Sequence, residues 1–78
     1  MAQLIDLYAR YPTSPRDVWR AIRRLHDAAQ ILERDGDPEA EAVVTACHAS
    51  LVRIAQEAGW PQAQAIALAD DVERLGVR

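Results

Sequence analysis

A chain of 78 residues with a net charge of −3 has room for one hydrophobic core, so residues 1–78 are expected to form a single domain. Its one cysteine excludes an intrachain disulfide, and Cys47, His26 and His48 are too few to close a four-ligand zinc site. No apolar run approaches the roughly 20 residues needed to cross a bilayer, and no basic-then-apolar leader is visible; the expectation is a soluble, cytoplasmic protein without membrane contact.

Fifteen alanines against three glycines favour helix throughout. The charge is uneven. Residues 1–24 carry five arginines against Asp6 and Asp17, whereas residues 25–78 carry four arginines against ten acids. Lysine is absent, so every basic side chain other than histidine is an arginine.

The first predicted helix covers roughly residues 2–11, where Leu4, Leu7, Tyr8 and Tyr11 recur on one face. Pro12 stops it by forcing the preceding residue out of helical geometry. A second helix begins at Ser14 as N-cap, with Pro15 in the first turn and Asp17 near the positive end of the dipole. Its seam is Val18, Ile22, Leu25, Ala29 and Leu32, flanked by Ala21 and Ala28, and Gly36 ends it.

Asp37 caps the third helix, whose apolar face reads Ala40, Val43, Val44, Cys47, Leu51, Ile54, Ala55 and Ala58. Gly59 and Trp60 are its expected stop, glycine in the left-handed position and tryptophan folding back as the apolar contact. Pro61 opens a fourth helix with Ala65, Leu68, Val72 and Leu75 buried, and Gly76–Val77 repeat the glycine-then-apolar stop. The fold class is all-α: a small helical bundle. The second and third helices form a long antiparallel hairpin, and the shorter first and fourth helices pack on it.

Catalytic chemistry finds no support in these residues. A nucleophile needs a base within hydrogen-bond reach, and Cys47 and His48, as helix neighbours, point about 100° apart. Cys47 falls on the apolar face and His48 toward the wet side, where a surface histidine is expected. Asp70 and Asp71 diverge for the same reason, and the glycines are spent on helix ends. No enzyme activity, metal or cofactor is expected.

The second helix carries the candidate site. Arg16, Arg20, Arg23 and Arg24 form one stripe opposite the Val18–Ile22–Leu25 seam. Arg20 and Arg24 repel each other one turn apart, with Asp17 and Asp27 near enough to relieve them. Trp19 lies beside the seam, placed to meet Leu7 or Tyr11, and Ile31 lies on the arginine face itself. Tryptophan and arginine are the residues most enriched at interface hot spots. The expected function is therefore non-catalytic protein binding through Arg16, Trp19, Arg20, Arg23, Arg24 and Ile31, with an acidic partner. An adaptor, inhibitor or regulatory subunit of accessory or phage type fits that expectation.

The alternative is a small helix-turn-helix-like DNA-binding regulator using the same arginines. Against it stand Tyr8 where a small residue would fit, a Tyr11-Pro12-Thr13 turn without glycine, and the acidic remainder of the chain. A homodimer is also expected, because the core is thin and Ile5, Ile31 and Val52 lie off the main apolar stripes.

Overall fold

The computed structural model describes residues 16–76, and within them the chain is all-helical. Helix α1 spans Arg16–Asp35, α2 Pro38–Glu57 and α3 Gln62–Gly76, and each packs against the other two. The expected helix over 2–11, the Ser14–Pro15 cap, Ile5 and Val77 lie outside the described residues.

The helix ends follow from local chemistry. Gly36 has φ +66°, and its N–H donates to the Leu32 carbonyl at 2.7 Å, closing α1. Asp37 then caps α2, its carboxylate accepting the Ala40 N–H at 2.7 Å. At the other end of α2, the Gly59 N–H reaches the Gln56 carbonyl and the Trp60 N–H reaches that of Ala55, both at 3.0 Å. These are the two bonds of a Schellman stop. Gly59 takes φ +100°, where a Cβ would be strained, and Trp60 folds back onto the core.

The core is small. Its largest fully buried side chains are Val18, Ile22 and Leu25 from α1, Leu51 from α2, and Leu68 and Val72 from α3. Ala21, Ala28, Ala29, Ala55 and Ala69 fill the spaces between them and let the helices approach closely. The apolar seams of α1 and α3 match the expected faces, with Leu32 and Leu75 partly buried at the margins.

Three expectations need correction, and one core residue had no assigned place. Val43 is 52% exposed and Ala58 is exposed, so the buried stripe of α2 is narrower than its apolar pattern. Val52, expected to lack a place, packs partly buried against the core. Gly76 is no left-handed stop, because it is a helical residue at a helix–helix contact. A Cβ there would lie 2.5 Å from the Ala29 Cβ and 2.9 Å from the His26 carbonyl oxygen, so only glycine lets the end of α3 sit against α1. Finally, His26 belongs to the core: it is 3% exposed, and neither ring nitrogen has a hydrogen-bond partner among the described residues.

Candidate functional site

The arginines owe their exposure to the period of α1. With Val18, Ile22 and Leu25 turned into the core, residues 16, 20, 23 and 24 fall on the opposite arc. All four arginines are exposed. Arg20 lies 3.9 Å from Asp17, a loose pair in which both side chains are more than two-thirds in solvent. Arg16, Arg23 and Arg24 form no ion pair among the described residues. Asp27, expected to offset an arginine, instead approaches the ring Nδ1 of His26 at 3.7 Å.

Two apolar residues share this surface. Ile31 is 44% exposed on the arginine arc. Trp19 is half-buried and packs against the core, and its expected contacts Leu7 and Tyr11 lie outside the described residues. The fold thus gathers Arg16, Arg20, Arg23, Arg24 and Ile31 on one exposed face, with Trp19 at its edge.

Along one side of the face runs an open groove of about 560 Å³. Asp17, Arg20 and Arg24 form one wall, Ile54, Glu57 and Ala58 at the end of α2 form the other, and Ala21 lies between. Glu57 is held loosely by Arg53 at 3.9 Å. The groove is lined by two arginines and a carboxylate on one side and by apolar groups with a carboxylate on the other. It offers charge and shape and no acid–base pair. Ile54 and Ala58 could not be assigned to it from sequence, because their place beside α1 depends on how two helices meet.

Elsewhere, His48 departs from its expected role. It is half-buried, and its Nε2 lies 2.8 Å from Asp70 Oδ1, tying α2 to α3. An ionised carboxylate can only accept, so Nε2 carries the hydrogen. A partly exposed pair of this kind contributes about 0.2–1 kcal/mol. Cys47, the neighbouring residue, is half-buried against the core rather than fully enclosed. Among the described residues no group of three or more His, Cys, Asp or Glu side chains could hold a metal ion. No helix of the described residues is long and apolar enough to cross a membrane.

No protein-family model, no curated protein and no solved structure matches this chain.

Proposed function

We propose that the chain is a non-catalytic protein-interaction module, an adaptor, inhibitor or regulatory subunit working in the cytoplasm. Its contact surface is the α1 face of Arg16, Trp19, Arg20, Arg23, Arg24 and Ile31, and its partner surface is acidic. One observation carries the reading: three of the four arginines on this face hold no ion pair among the described residues, while an exposed isoleucine shares the face. A solvated arginine face needs no isoleucine beside it, whereas an interface uses both charge and apolar area. The frame for this face is a long antiparallel hairpin of α1 and α2, supported by their two-residue connection at Gly36–Asp37.

The test compares binding partners across ionic strength. Binding to a protein through Trp19 and Ile31 persists as salt rises, with a modest loss from screening of the arginines. Binding to duplex DNA through the same arginines falls steeply and log-linearly with salt. A protein captured by the wild type and lost on Arg20→Ala/Arg24→Ala supports the reading. DNA binding with a steep salt slope, lost on the same substitutions, replaces it with the DNA-regulator alternative.

A further inference from the structure

We propose that the groove between α1 and α2 is the seat of one amphipathic helix from a foreign protein, apolar along its contact stripe and acidic at the level of Arg24. The proposal deepens the interaction reading above and rests on it. The seat is defined by where α3 packs. Gly76 of α3 lies against His26 and Ala29 of α1, and Asp70 of α3 bonds His48 of α2. At about 100° per residue, His26 points about 140° away from Ala21 on α1, and His48 about 120° away from Ile54 on α2. Ala21 and Ile54 line the groove. Helix α3 therefore fills one side of the helix pair, and the groove is its other side. A helix laid there gives four packed helices, the arrangement of a bundle. An extended segment is unsuited to it, because the described residues offer no strand edge to take its backbone hydrogen bonds, whereas a helix satisfies its own.

The far end of the groove accounts for two exposed apolar residues that the core leaves out, Ile31 and Val43. Ile31 lies ten residues beyond Ala21 on α1, about 15 Å, and Val43 lies eleven residues before Ile54 on α2, about 17 Å. In the antiparallel hairpin proposed above, the two stand at nearly the same level. Each also points within about 20° of a residue that lines the groove, Ile31 of Arg24 and Val43 of Ile54. A docked helix thus meets Ala21, Ile54 and Ala58 at one end and Ile31 with Val43 about three turns further on.

One residue sets the charge that the helix must match. Of the four charged side chains in the lining, Asp17 stands 3.9 Å from Arg20, and Glu57 stands 3.9 Å from Arg53. Arg24 alone forms no ion pair among the described residues. Between Ile54 and Val43 the same flank of α2 carries Ser50 and Cys47, so no acid faces Arg24 from that side. Beyond Ile31 and Val43 stand the exposed acids Asp35 and Glu39. An acid on the docked helix is therefore favoured beside Arg24 and disfavoured at that far end.

Synthetic peptides test this on the full chain. Each is alanine-based and about 18 residues long, about 27 Å as a helix. Leucines spaced i, i+4, i+7 and i+11 form one face. The first peptide carries a glutamate on each flank of that face at the central turn. The second has lysines there, and the third is the glutamate peptide with a central proline, which breaks the helix. Binding is read from the amide resonances of the isotope-labelled protein. The glutamate peptide is expected to shift Ala21, Ile31, Ile54 and Ala58. The lysine peptide should bind up to about fivefold more weakly, as befits a partly exposed ion pair, and the proline peptide should not bind. Arg24→Glu should invert the preference between glutamate and lysine. Arg24 is exposed, and circular dichroism checks that the variant keeps its helices. Equal binding of the proline peptide, an unchanged preference in Arg24→Glu, or no binding of any peptide overturns the helix seat. Shifts confined to Arg16, Trp19 and Arg23 also overturn it and leave the interaction reading standing. In the protein alone, concentration-dependent shifts at Ile54 and Ala58 would make a second copy the occupant. Cross-peaks from those residues to Leu7 or Tyr8 would make it the chain's own N-terminal segment. Either result overturns the foreign helix. The interaction reading itself fails separately, if Arg20→Ala/Arg24→Ala loses no bound protein.

Discussion

Replacing His26 with leucine should make this protein more stable. His26 is 3% exposed, and among the described residues neither ring nitrogen has a hydrogen-bond partner, with Asp27 Oδ1 standing off at 3.7 Å from Nδ1, so folding takes a donor and an acceptor from water without a hydrogen bond from those residues in exchange. Each such loss costs about 1–3 kcal/mol. Leucine has nearly the same volume and carries no polar atom, and a volume-conserving swap in a packed core forfeits less than about 1.5 kcal/mol. With two such losses, the net expectation is a gain of at least about 0.5 kcal/mol, which for a domain this small raises Tm by at least roughly 2–4 °C. The assay is thermal and urea unfolding followed by circular dichroism. His26→Ala is the control, since it removes the nitrogens but opens a cavity and should not stabilise. A His26→Leu protein that melts several degrees below wild type would show that the ring nitrogens are satisfied in the folded state, and the reasoning would fail.

Gly76→Ala should destabilise, since its Cβ would lie 2.5 Å from the Ala29 Cβ; the overpacking, about 1–3 kcal/mol, outweighs a helix-propensity gain of up to about 1 kcal/mol. Ala29→Gly in the same chain should recover part of the loss, and an unchanged urea midpoint for Gly76→Ala would refute the close contact. Asp37→Ala removes the α2 cap and should lower stability by about 1 kcal/mol, read as a shift in the urea midpoint. Cys47, half-buried against the core, should react with a thiol reagent several-fold more slowly in the native protein than in urea; equal rates would place its sulfur in open solvent.

What could be read from sequence was set by the range of the interactions. The Asp37 cap and the Gly59–Trp60 stop are made by residues within six positions of one another, so composition and order suffice to specify them. The seams of α1 and α3 follow from period alone. The width of a buried stripe does not, which is why Val43 reads as core and stands in solvent. His26, Gly76 and the His48–Asp70 bond depend on how separate helices meet. Gly76 carries the same residue type as a helix stop and was read as one, although its role is to admit α1. At the candidate site, the arginine stripe and Ile31 were legible because they share one helix. The far wall of the groove, Ile54 and Ala58, was not, because α2 supplies it.

The claim that the arginines of α1 serve a partner rather than the fold is tested most directly by the stability of Arg20→Ala/Arg24→Ala. Both side chains are exposed, and the only ion pair that either forms among the described residues is the loose Arg20–Asp17 contact at 3.9 Å. Removing them abolishes a like-charge pair one turn apart and adds two good helix formers. The account predicts a melting temperature equal to or slightly above that of the wild type, together with loss of association. A melting temperature lower by several degrees would contradict it and return these arginines to the structure.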